Sequence, residues 1–165
     1  MLKLLIYAPC EKVIVADDQT TSIISLMESI QLNTPDEFPV DAVLPIRWSI
    51  LSLWKRDQAV PHPIEMEERT DVVRPDGVVA TGGTTKFIVT NEHLFYRTVV
   101  RVPVFPVGLP GFVQVKCRTR QTNPETEWTD FTEFPLLVIH QPLQPDQAQV
   151  TQQIVLQPME EPKDG

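Results

Sequence analysis

Sixteen prolines against six glycines constrain this 165-residue chain more than any other feature. Proline fixes its own φ and has no backbone donor, so it cannot recur inside long helices or central strands. The chain must therefore be built from short segments with frequent corners. β-Branched runs between the corners make those segments strands.

Ile46, Trp48, Ile50 and Ser52 share one face of a strand, while Arg47, Ser49, Leu51 and Leu53 take the other. The Trp48 side is expected to face the core. Ile64 to Val73 reads as a second strand, and Pro75-Asp76-Gly77 turns it into Val78-Val79-Ala80 with hairpin chemistry. Gly82-Gly83 is expected to end that strand before another at Thr84 to Thr90. Phe112 to Thr119 and Trp128 to Ile139 form a second hairpin around Asn123-Pro124. Thr98 to Val107 is β-branched, but Pro103 and Pro106 suit only an edge or a bend.

Near the start, Lys3 to Tyr7 is a short apolar strand expected to stop at Ala8-Pro9, with Val13 to Ala16 a second. Ser22 to Leu32 alternates as one strand, although Ile23, Leu26, Met27 and Ile30 also fit helical spacing. Asn33 to Asp41 is a loop with Phe38 as its apolar anchor. The fold class expected is all-β: an antiparallel two-sheet sandwich, immunoglobulin-like or C2-like, of about eight or nine strands. It spans residues 1–140, and the Gln- and Pro-rich acidic stretch 141–165 reads as a disordered tail.

Tyr7-Ala8-Pro9-Cys10-Glu11-Lys12-Val13-Ile14, the run Ser22 to Glu28, and Arg47-Trp48-Ser49 with Trp54 together resemble a family of small uncharacterised bacterial β-sandwich proteins of unknown function. The likeness covers residues 1 to about 140. It implies a β-sandwich and brings no activity, cofactor or catalytic residue.

A net charge of −8 excludes a phosphate-backbone binder, which needs a basic footprint. No apolar run approaches the roughly 20 residues of a membrane-spanning helix, and the opening residues lack a signal-peptide core. A cytoplasmic protein is expected, with Cys10 and Cys117 as free thiols. The order Cys10, Trp48, Cys117 resembles that of immunoglobulin domains, but the spacing does not follow their pattern.

Motifs for catalysis are missing. Gly77 to Thr84 has the glycines and hydroxyl of a phosphate-binding loop, but glycine stands at 83 where its lysine belongs. His62, His93 and His140 are isolated, and no GxSxG elbow occurs. Asp17, Asp18, Asp36, Glu37 and Asp41 lie in loops and are calcium candidates, with solvated turn formation as the alternative. Neither a cofactor nor an enzymatic role is expected.

What remains is a non-catalytic interaction or accessory module for an unidentified protein partner. Trp54, near its strand end, is expected to be an exposed contact, and Ile154, Val155 and Leu156 in the tail are expected to dock as an added strand. The alternatives are a small-ligand or carbohydrate-binding sandwich using Trp54 or Trp128 for stacking, and a C2-like calcium module.

Overall fold

The computed structural model describes residues 2–18, 20–34, 38–57 and 63–142. Strands dominate and no helix occurs among the described residues. In chain order they are β1 (Leu2–Val15), β2 (Thr21–Leu26), β3 (Ser29–Thr34), β4 (Val43–Leu44), β5 (Trp48–Arg56) and β6 (Ile64–Val73). There follow β7 (Val79–Val89), β8 (Phe95–Val102), β9 (Phe105–Pro106), β10 (Gly111–Gln121) and β11 (Thr129–Pro142).

The chain is all-β, as expected, but in three sheets rather than two. One has the order β2-β1-β5-β8, the second β3-β11-β10-β6-β7, and β4 with β9 makes a third of two strands. Nor is the pairing wholly antiparallel, because β3 runs parallel to β11. Among the described residues eleven strands replace the eight or nine read from the sequence, one of the divisions being a change of sheet, and they are not all short: β1 and β11 reach 14 residues each and run through Pro9 and Pro135.

The Asp76-Gly77 hairpin forms as its turn chemistry requires. Gly77 adopts φ +84, which a side chain would strain, and β6 pairs with β7 from Ile64↔Val89 to Val73↔Val79. β7 does not break at Gly82-Gly83, because Gly82 is where the strand passes the side chain of Asp71. The β10–β11 hairpin also forms, and Pro142 extends β11 two residues past the expected domain end.

β1 runs through Pro9 instead of stopping there. The Pro9 carbonyl accepts from the Met27 amide at 2.9 Å, so its missing N–H falls on that side, outside the β1–β5 ladder. Ser22 to Leu32 is two strands in two sheets. Ser25 takes φ 51 and the chain crosses at Met27-Glu28, tied by Met27 N–H to Pro9 and by Leu137 N–H to the Glu28 carbonyl.

Two apolar clusters lie between the larger sheets. One gathers Trp48, Ile50, Val72, Val102, Phe105, Val113, Val115, Leu136 and their neighbours. The other holds Leu2, Trp54, Ile64, Met66, Phe87, Val89 and Cys117. Trp48 is in the core as expected, its indole N–H donating to the Val104 carbonyl at 2.9 Å.

Candidate functional site

Between the two apolar clusters the inward positions turn polar. On β6 the alternation Ile64, Met66, Glu68, Thr70, Val72 points Glu68 inward, where it is 1% exposed. A buried carboxylate survives only with its lone pairs occupied. Glu68 Oε1 accepts from Ser52 Oγ at 2.6 Å, and Oε2 accepts from Trp54 Nε1 at 3.1 Å and Thr98 Oγ1 at 2.7 Å. All three donors belong to the facing sheet, so the network sets the two sheets' mutual position.

Tyr7, which packs against both clusters, and Thr70 carry buried hydroxyls without a hydrogen-bond partner among the described residues. Burial pushes the Tyr7 phenol up, with the nearby Cys117 adding. Burial also raises the Cys117 thiol, followed by the charge of Glu68. This belt brings together acid, hydroxyl and thiol side chains, and Glu68, Ser52, Thr98 and Cys117 are all buried.

Trp54 is therefore a correction: it is fully buried and not a surface contact. The strand was expected to end at Leu53, whereas β5 continues to Arg56 and keeps 48, 50, 52 and 54 on the inward face. Trp54 also meets Phe131 edge-on at 5.0 Å between centroids. Trp128 has one ring face occupied by Arg120, 4.7 Å from its centroid. The Trp54 ring is not an open stacking platform.

Of the calcium candidates, Asp36 and Glu37 lie outside the described residues. Asp18 Oδ1 accepts from both the amide and the hydroxyl of Thr20, which hold its carboxyl below the ordinary value and make it a turn former. Asp17 adjoins it, and Asp41 stands in the turn after Phe38 with its charge near Arg74. Among the described residues, no three or more His, Cys, Asp or Glu side chains are grouped to hold a metal. His93 meets Thr90 and His140 meets the Val107 carbonyl, while His62 lies outside the described residues.

Cys10 and Cys117 are free and buried. They are not partners: Cys10 stands opposite Ser49, away from the inward face, and Cys117 lies in the inter-sheet core. Burial raises the Cys10 thiol as well, which disfavours its thiolate.

An accessible candidate surface is the β1–β2 hairpin. Thr21 pairs with Val15, while Arg97 pairs with Leu53, which is next to Ile6 on β1. Ile6 and Val15 would be about 30 Å apart along a straight strand. Arg97 Nη1 nevertheless donates to the Thr21 hydroxyl at 2.6 Å. The hairpin thus doubles back over the outward face of its own sheet, in keeping with the burial of Ala8, Cys10, Ser49 and Leu51 there.

On this arm Ile14, Val15, Ile23, Ile24 and Leu26 all remain exposed. Its outer strand, β2, is a sheet edge of six residues, Thr-Ser-Ile-Ile-Ser-Leu, every one exposed and none charged or proline. Edge strands ordinarily carry charges or prolines that block pairing with another chain. β2 has only the irregular Ser25. Sequence reasoning missed this surface because exposure and edge position are not visible in alternation alone.

The tail candidates Ile154, Val155 and Leu156 lie outside the described residues. No described helix is long and apolar enough to cross a membrane. No protein-family model matches the chain, and no curated protein matches it significantly.

Proposed function

We propose that this chain is a non-catalytic protein-interaction module, a cytoplasmic β-sandwich of immunoglobulin-like kind that binds an extended segment of a partner along the outer edge of β2. One observation carries the reading: β2 is an uncharged, proline-free edge strand, exposed at all six positions. An edge of this kind offers backbone groups for affinity and Ile23, Ile24 and Leu26 for side-chain selection. The burial of the Glu68 belt supports the non-catalytic part. The proposed kinship with small bacterial β-sandwich proteins is compatible with an accessory role. The apolar triplet Ile154-Val155-Leu156 is the second binding element, offered as a strand to a sheet edge of the partner.

Affinity capture with the full chain, an Ile24→Lys form and a form ending at Pro142 tests this. The expected result is a specific partner retained by the full chain and lost with Ile24→Lys, with slowed hydrogen exchange at β2 in the recovered complex. Equal recovery by the full chain and Ile24→Lys overturns the β2 assignment, and equal recovery after truncation overturns the tail's part.

A further inference from the structure

The β2 edge and the Ile154-Val155-Leu156 triplet belong to one chain, and the place where β11 ends allows them to meet. Pro142 stands opposite Thr34 at the end of β3. Five residues back along β11, the Leu137 amide donates to the Glu28 carbonyl at 3.0 Å, two residues beyond Leu26. By that path Pro142 and Leu26 are at most about 30 Å apart. The 10 residues from Pro142 to Gln152 extend to about 33 Å, so the segment that follows reaches the Leu26 end of β2 in its own molecule.

Ala148 to Gln157 contains no proline, glycine or charge and is bounded by Pro145-Asp146 and Pro158. Such a segment keeps every backbone donor that a ladder needs. β2, β8, β3 and β7 stand at the borders of the two larger sheets. β8 carries Arg97 and Arg101, β7 carries Lys86 and two glycines, and β3 packs Ile30 and Leu32 against the core. β2 differs, being uncharged and exposing Ile23, Ile24 and Leu26.

We infer that in the unbound chain Gln152 to Gln157 pairs with the outer edge of β2 in the same molecule. The segment arrives at Leu26 and runs toward Thr21, antiparallel to β2, six residues against six, which brings the apolar triplet beside Ile23 and Ile24. The tether holds it at an effective concentration on the order of 1 mM. A net charge of −8 on every chain opposes the approach of a second copy. Resting on the β2 edge proposed above, this contact supplies what that edge lacks, a cover that blocks pairing with other chains. The two binding elements occupy one another until a partner opens the contact.

Residue-resolved hydrogen exchange of the full chain tests the contact with no partner present. Val155→Pro removes a ladder donor, and Ile154→Ser/Leu156→Ser removes the apolar contacts, while both leave every described residue unchanged. For a segment that binds β2 with a dissociation constant of about 0.1 mM, the tether slows exchange about tenfold. The β2 amides that face away from β1 are therefore expected to exchange about tenfold slower in the native chain than in either variant, independently of protein concentration.

Equal exchange of these amides in the native chain and both variants would overturn the assignment. Protection that grows with protein concentration, accompanied by dimers in sedimentation, would overturn it in favour of strand donation to a second copy. Tail-dependent protection along β3 instead of β2 would overturn the choice of edge. Because these rates are read without a partner, a failure to capture one through β2 leaves them unaltered, and the two readings fail separately.

Discussion

The Trp54 indole N–H donates to Glu68 Oε2 at 3.1 Å, joining β5 to β6 across the inter-sheet core. The same oxygen accepts from Thr98, and Ser52 fills the other. Four side chains from three strands thereby fix the separation of the two larger sheets. Apolar packing alone would leave that register less sharply specified.

Replacing Glu68 tests this directly. Glu68→Ala leaves three buried donors without an acceptor and opens a cavity, so it should cost about 3–5 kcal/mol. Glu68→Gln keeps the acceptor that Trp54 requires, while the Ser52 hydroxyl turns to accept from the new amide. That variant should cost only about 1–2 kcal/mol. Urea unfolding of the two forms measures the difference, and a loss in Glu68→Gln as large as in Glu68→Ala would show that the second acceptor oxygen, which the isosteric amide lacks, is indispensable to the network.

Adjacent glycines on β7 separate a packing requirement from a mere preference. A Cβ on Gly82 would stand 2.6 Å from Asp71 Oδ1 and 3.1 Å from the Thr70 carbonyl, whereas one on Gly83 meets nothing within 4 Å. Asp71 is held by Arg69 Nε at 3.0 Å and is 3% exposed, so it cannot easily give way. Gly82→Ala should destabilise by about 1–3 kcal/mol. Gly83→Ala should be neutral or stabilise by about 0.5 kcal/mol, since strand glycine carries an entropic cost. Thermal midpoints of the two single variants decide it.

The strands were legible wherever one face alternated without interruption: β5, β6, the Asp76-Gly77 turn and the β10–β11 pair follow from period-two patterning and turn residues. The reading failed where the chain changes sheets. At Met27-Glu28 the inward face switches partners, so one alternating run conceals two strands and imitates a helix. It failed again at Trp54, where one extra turn of the pleat decides between core and surface. The Glu68 position was visible as an acid in an inward register, but its donors Ser52 and Thr98 lie 16 and 30 residues away. The doubled-back arm depends on Arg97 meeting Thr21, 76 residues apart, which no local pattern encodes.

Both cysteines should resist modification. Cys10 and Cys117 are buried, and burial raises both thiols above the ordinary value. A disulfide reagent near neutral pH should therefore find both inert in the folded chain and release both after denaturation. Fast reaction of Cys10 in the native state would show that the hairpin arm lifts from the face it covers.

The unpartnered Tyr7 hydroxyl leads to a prediction in the alkaline range. Burial raises the Tyr7 phenol above its ordinary 10.0 and the Cys117 thiol above its ordinary 9.0. The folded chain therefore keeps these protons after the unfolded chain has released them. Their contribution is fully present below about pH 9 and is lost as pH rises through 9.0 and 10.0 toward the higher folded values. Stability should fall progressively above pH 9. Tyr7→Phe removes both the phenol's proton and a buried hydroxyl that has no partner, so it should stabilise by about 1 kcal/mol at pH 7 and flatten the decline above pH 10. Urea midpoints of the native chain and Tyr7→Phe between pH 7 and 10.5 supply the comparison. A variant less stable at pH 7 would mean that the hydroxyl does find a partner in solution.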